Sequence, residues 1–207
     1  MIFSDRREAG RKLGEGLGER PGTLVLGIPR GGVIVAAEVA PVTGGTLDVV
    51  VPRKLGAPVN PELGIGAVAA DGTTVLDERL VSTLRVTEEY IAAEVARQLE
   101  EIARRLEIYR AGRLPLDVAG RDVIVVDDGI ATGGTAEVAL RSLKARGARS
   151  VVLAVPVAPR ESVERLGKIA DEVVVLATPE PFAAVGQWYA SFPQVSDAEV
   201  LEALSME

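Results

Sequence analysis

The stretch that decides the fold runs from Asp122 to Thr135 and reads Asp-Val-Ile-Val-Val-Asp-Asp-Gly-Ile-Ala-Thr-Gly-Gly-Thr. Its four apolar residues, Val123 to Val126, are all β-branched, as expected of a strand buried on both faces. Two adjacent carboxylates, Asp127 and Asp128, follow. Then comes a small-residue loop, Ala131 to Thr135, and a helical pattern carried by Val138, Ala139 and Leu143 and stopped at Gly147. The order is therefore strand, acidic pair, tight turn, helix.

Each part has a chemical use. Glycines let successive backbone N–H groups converge on one point, and a helix N-terminus adds partial positive charge, so the loop suits a phosphate. Thr132 and Thr135 add hydroxyl donors. Two aspartates would repel a phosphate, but they accept strong hydrogen bonds from hydroxyl groups. A sugar phosphate satisfies both halves. A Walker-type nucleotide loop does not, because Thr135 stands where that motif needs lysine.

This pattern resembles the phosphoribosyl-pyrophosphate (PRPP) motif of the type I phosphoribosyltransferases. The resemblance implies a Rossmann-like α/β core with a parallel sheet, helices on both faces and a small hood made by the terminal segments. It implies that Asp127 and Asp128, the catalytic pair, hold the ribose hydroxyls and that Ala131, Thr132, Gly133, Gly134 and Thr135 cradle the 5′-phosphate. Mg²⁺ would arrive with PRPP and water near Asp127 and Asp128, with no direct protein ligand. Hypoxanthine-guanine members usually carry an aspartate at the place of Ala131, so the loop here disfavours those acceptors without naming another.

Two further segments fit the same expectation. Thr23 to Ile28 is an apolar strand followed by Pro29-Arg30-Gly31-Gly32 and a helix over Val33 to Ala40. Leu47 to Val51 is a second strand, ending in Pro52-Arg53-Lys54-Leu55-Gly56. By resemblance, Arg30, Gly31, Gly32, Arg53 and Lys54 bind pyrophosphate; a solvated turn is the plainer reading of each. In an open α/β sheet the C-terminal strand ends share one edge, where ligands bind.

Composition narrows the chemistry. The chain has 207 residues, a formal charge of −7 and a pI near 4.9, which argues against nucleic acid as partner. It has no cysteine and no histidine, which excludes thiol chemistry, Ser-His-Asp catalysis and His-ligated metals. No apolar run approaches a membrane span and the N-terminus lacks a signal-peptide core, so the expected location is the cytoplasm.

The remaining elements follow from pattern. A helix capped by Ser4 or Asp5 opens the chain. Leu63 to Leu76 reads as a hairpin with a type I′ turn at Asp71-Gly72. Thr87 to Arg110 is the strongest helix: Thr87 caps it, Ile91, Val95, Leu99, Ile102, Leu106 and Tyr109 form its apolar stripe, and the pairs Glu100–Arg104 and Glu101–Arg105 sit on its wet side. Strands at Ser150 to Val155 and Glu172 to Leu176 flank a helix begun by Pro159, and Ser196 to Glu199 is a capping box. Trp188 and Tyr189 lie in the aromatic tail, where they either stack on an acceptor base or anchor the tail.

The expectation is one phosphoribosyltransferase-like domain over residues 1–207. Its core spans about 23–177 and includes a helical insertion at about 77–113; its hood comes from 1–20 and 178–207. The expected function is Mg²⁺-dependent transfer of the phosphoribosyl group of PRPP to a nitrogenous acceptor, in a homodimer. The alternative is a non-catalytic PRPP- or nucleotide-binding regulator on the same fold.

Overall fold

The structure, a computed structural model, describes residues 3–205. The outermost residues assigned to the hood lie outside that range. In chain order the elements are α1 (Arg6–Leu17), β1 (Leu24–Gly27), α2 (Gly31–Thr43), β2 (Thr46–Val49), β3 (Arg53–Ala57), β4 (Asn60–Val68), β5 (Thr74–Leu76), α3 (Glu78–Thr83) and α4 (Glu88–Arg110). Then follow β6 (Asp122–Val126), α5 (Gly134–Ala145), β7 (Ser150–Val157), α6 (Arg160–Leu166), β8 (Glu172–Ala177), a short 3-10 turn (Val185–Trp188) and α7 (Asp197–Leu204).

Five strands form one parallel sheet in the order β2-β1-β6-β7-β8. β6 is central, and its side chains alternate between two cores. Ile124 and Val126 pack with α1, α2, α4 and α7, while Val123 and Val125 pack with α5 and α6. Burying each of these side chains contributes about 1.5–3 kcal/mol relative to exposure, so the strand is anchored from both faces. The parallel strand order reverses direction between β1 and β6. In a doubly wound sheet that switch point opens a crevice beyond the carboxyl ends of the two strands, here the Pro29–Gly32 loop and the Asp127–Thr135 loop.

The basic segment departs from the expected geometry. The strand at Leu47 ends at Val49, and Arg53 and Lys54 belong to a second, antiparallel sheet of order β3-β4-β5. Its hairpin closes with a three-residue loop instead of a type I′ turn. Ala69 N–H donates to the Thr73 carbonyl and only Gly72 takes a positive φ, of 85°. The sheet leans on α5 through Ala67, Ala69 and Val138, and the Ser142 hydroxyl donates to Asp71 at 2.8 Å.

Two helices differ from their pattern. α2 begins at Gly31 and runs through Pro41 in its last turn, where the missing N–H leaves the Ala37 carbonyl without its i−4 donor. In α1, Gly10 and Gly14 mark close packing on α2: a Cβ at Gly10 would lie 2.6 Å from the Val35 carbonyl oxygen. On α4, Arg104 pairs with Glu101 at 2.8 Å, one residue nearer than the predicted Glu100, and Glu101 also holds Arg105 at 2.7 Å. Arg105 is not on the wet side: its side chain is only 19% exposed. Thr87 caps the helix by accepting from Tyr90 N–H, and Ser196 and Glu199 form the expected capping box.

Candidate active site

The two loops at the switch point are pressed together. Ile28 N–H donates to the Val126 carbonyl at 2.8 Å, continuing the sheet one step past β1. The next peptide, Pro29–Arg30, is cis. Gly31 and Gly32 then lie against the acids. A Cβ on Gly31 would fall 1.9 Å from Asp128 Oδ2, and one on Gly32 would fall 2.8 Å from Asp127 Cα. Only residues without a side chain permit this approach.

The acids are not equivalent. Asp127 Oδ1 accepts from the backbone N–H of Asp128 at 2.8 Å. Burial, and then the charge of Asp128, push the Asp127 carboxyl well above the usual carboxylate range. Asp128 is raised by burial too, but the hydrogen bond and charge of Arg6 oppose that rise. Arg6 Nε donates to Asp128 Oδ2 at 2.7 Å. The Tyr189 hydroxyl donates to the backbone carbonyl of Asp128. Sequence reasoning found neither contact, because Arg6 carries no local signal of a partner 122 positions away.

The Ala131–Thr135 loop is held from outside. Ser162 Oγ donates to the Ala131 carbonyl at 2.7 Å, and an Arg165 Nη donates to the Thr132 carbonyl. Both donors come from α6. With those carbonyls tied outward, Gly133 turns into the left-handed region at φ 75° to start α5. The first-turn amides of α5 have no acceptor within the helix and are free to face a ligand. Among the described residues, nothing beyond its chain neighbours and its own helix backbone lies within 4 Å of where a Gly134 Cβ would be, so that face of the loop is open. Glu137, in the same turn, pairs with Arg165 and with Arg141, which offsets its charge.

The predicted basic residues separate. Arg53 is half-buried on the α4 side, where its Nε donates to Gln98 Oε1 at 3.0 Å. Burial, then the charge of Arg105, holds its guanidinium below the ordinary value. Arg30 and Arg105 both act on the buried Tyr109 hydroxyl, which burial and Asp197 push up to about 12. Arg30, Arg53 and Arg105 thus share one neighbourhood beside α4. Lys54 points to the other face of β3, as neighbouring strand residues must, and its Nζ donates to the Glu62 carbonyl at 2.6 Å. Adjacency in sequence does not make Arg53 and Lys54 one binding group. Arg105 is a cation the sequence reading placed in solvent.

The aromatic tail is an anchor at Tyr189. Its ring packs against Phe3 and Phe192, with centroids 5.5 and 4.8 Å away, and the residue is 6% exposed. Burial and the Asp128 charge raise its hydroxyl above the ordinary tyrosine value. It therefore offers no free face to a base. Trp188 is half-buried and stacks on Phe182 at 6.2 Å.

Among the described residues, no group of three or more acidic side chains could enclose a metal ion, and no helix is long and apolar enough to cross a membrane.

Known proteins resemble this chain in sequence and in fold. The model of the phosphoribosyl transferase domain matches residues 9–185. Rv0571c of Mycobacterium tuberculosis, provisionally named a phosphoribosyl transferase, is 48% identical over 202 residues, covering 97% of this chain and 46% of that protein. The chain thus spans about half the length of the curated relatives that head the comparison. A uracil phosphoribosyltransferase of Caldanaerobacter subterraneus subsp. tengcongensis is 31% identical over 175 residues, covering 84% of this chain and 77% of that one. The crystal structure of TT1426 from Thermus thermophilus superposes with a TM-score of 0.83 at 48% identity, covering 99% of this chain and 98% of that one.

Proposed function

The chain belongs to the phosphoribosyl transferase domain family, and from that premise we propose that it transfers the phosphoribosyl group of PRPP to a nitrogenous base and releases pyrophosphate. The carrying observation is the contact of the Gly31-Gly32 loop with Asp127 and Asp128 at the switch point. It supports reading the acid pair, the amide-lined turn and the cationic flank as parts of one sugar-phosphate crevice.

In this reading the acid pair accepts hydrogen bonds from the ribose hydroxyls, and Ala131 to Thr135 grip the 5′-phosphate. That fixes the sugar with its C1 toward the acceptor. As the C1–O bond breaks, negative charge grows on pyrophosphate. The backbone at Gly31 and Gly32, with Arg30 and Arg53, stabilises it, and Arg105 adds charge from α4. Lys54 joins only by leaving Glu62. The acceptor's nitrogen forms the new bond to C1, and Trp188, not Tyr189, is the aromatic left to stack on it.

Two adjacent carboxylates without a third acidic partner fit Mg²⁺ carried on substrate oxygens better than a protein-built cage. When bound, Mg²⁺ supplies positive charge to the pyrophosphate oxygens. The same reading takes the chain as one phosphoribosyltransferase-like unit in the cytoplasm. It also takes the protein as a homodimer, for which half-buried Leu80, Leu84, Ile91 and Val95 on α3 and α4 offer an apolar face.

The test is pyrophosphate release from PRPP and Mg²⁺ with a panel of bases. The 31% identical relative makes uracil the first to try. Turnover on any base supports the enzyme. PRPP binding with no turnover points to the regulator.

A further inference from the structure

Arg6 stands at the head of α1 with its guanidinium held on two edges and one face. Nε donates to Asp128 Oδ2 at 2.7 Å, and Nη1 donates to the Pro193 carbonyl at 2.8 Å. The guanidinium carbon lies 3.7 Å from the centre of the Phe192 ring. The two side chains of the ion pair are 9% and 16% exposed, so solvent screens the contact poorly. A planar fork fixed this way cannot follow a carboxylate that rotates. Gly31 lies against both partners of this contact, since a Cβ there would meet Asp128 Oδ2 at 1.9 Å and Arg6 Nε at 2.7 Å.

We propose that Arg6 is the positioning residue of the acid pair: fixed by Pro193 and Phe192, it holds the Asp128 carboxyl in one orientation beside Asp127, so that the sugar meets an oriented acceptor instead of two interchangeable acids. Arg6 touches no substrate atom in this scheme; it acts through Asp128. The inference rests on the functional reading above, in which the pair receives the ribose of PRPP.

The charge ordering follows from what faces Asp128. Arg6 comes from α1, Asp127 lies beside it and shares a carboxyl hydrogen bond with it, and the Tyr189 hydroxyl comes from the tail. The loop before α2 presents only the Gly31 backbone. Arg6 is therefore the one cation in direct contact with Asp128 among the described residues. Both acids are buried, and without Arg6 Asp128 loses the cation that opposes the effect of burial, so it would keep its proton to higher pH.

The test compares PRPP-Mg²⁺ affinity by calorimetry at pH 6 and pH 8.5 for the wild type, Arg6→Gln and Arg6→Lys. We expect Arg6→Gln to weaken binding about tenfold at pH 6 and less than about threefold at pH 8.5, the pattern of a carboxyl whose titration has moved upward. Arg6→Lys, which keeps a charge but not the fork, should recover most of the loss at pH 6. Equal weakening of Arg6→Gln at both pH values, or none at either, overturns the proposal while leaving PRPP binding by the wild type intact. No PRPP binding by the wild type at either pH overturns the functional reading and this inference together. Should Arg6→Gln fail to fold, Arg6→Met, which keeps the alkyl stem without the charge, takes its place: a loss at pH 6 that vanishes at pH 8.5 supports the proposal, and a pH-independent loss, or none at either pH, overturns it.

Discussion

Gly31 and Asp128 touch: a methyl group placed on Gly31 would overlap Asp128 Oδ2, at 1.9 Å, and crowd its Cγ, at 2.6 Å. The first βα loop and the central acidic loop, far apart in the chain, are thus parts of one surface. Gly31→Ala should expel the Asp128 carboxylate from its place and break its pair with Arg6. The overpacking costs about 1–3 kcal/mol, so the variant folds with a lowered melting temperature and loses PRPP affinity. Native melting and native affinity in Gly31→Ala would show that the contact is not required.

Gly134 gives the opposite case. Among the described residues, nothing beyond its chain neighbours and its own helix backbone lies within 4 Å of its would-be Cβ, and its φ is not in the left-handed region. Alanine there should leave the fold unharmed and add up to about 1 kcal/mol of stability through the unfolded state. In the proposed site, however, that space belongs to the 5′-phosphate. The expected result is an equal or higher melting temperature with PRPP affinity reduced about tenfold or more. Unchanged affinity would place the phosphate elsewhere.

Asp127 should be a site where function opposes stability. Burial raises its carboxyl in the folded protein. An unfolded aspartate ionises near pH 4. Below that pH both states are protonated and the group favours the fold fully. As pH rises, the unfolded chain ionises first, and stability falls until the folded carboxyl also ionises. Asp127→Asn retains the Oδ1 acceptor for Asp128 N–H but cannot ionise. It should therefore raise the melting temperature at pH 7 by about 2–4 °C, the shift produced by ~1 kcal/mol in a chain of this size, with the advantage gone below pH 4. Thermal melts across that range check the sign; a variant less stable than wild type at pH 7 contradicts it.

Much of this architecture was legible in the residues. Val123 to Val126 are β-branched throughout, and such a run has one comfortable place, a strand covered on both faces. Asp127, Asp128 and the Gly-Thr turn are local features with local chemistry, so their position beyond a strand could be read directly. Asp5, Thr87 and Ser196 cap helices through bonds that span only three residues, which a sequence displays openly.

What stayed hidden depends on distant packing. Arg53 and Lys54 read as a turn because nothing nearby shows that β4 will pair with them and turn them to opposite faces. Arg105 read as a solvated partner of Glu101, since the helix period places it beside that residue and cannot show Arg53 arriving from β3. Ser162 and Arg165 read as ordinary helix residues, yet they orient the Ala131–Thr135 loop by holding two of its carbonyls. Tyr189 could be placed in the tail but not assigned its partner, because a hydroxyl 61 positions from Asp128 leaves no trace in spacing.

The most direct measurement is a calorimetric titration of PRPP with Mg²⁺ into the wild type and into the double variant Asp127→Asn, Asp128→Asn, with circular dichroism confirming that both are folded. Binding of one PRPP per chain by the wild type, lost in the folded double variant, is the result predicted here. Equal affinity in the two proteins would contradict the role given to the acid pair, and no binding to either would remove the crevice between β1 and β6 as a PRPP site.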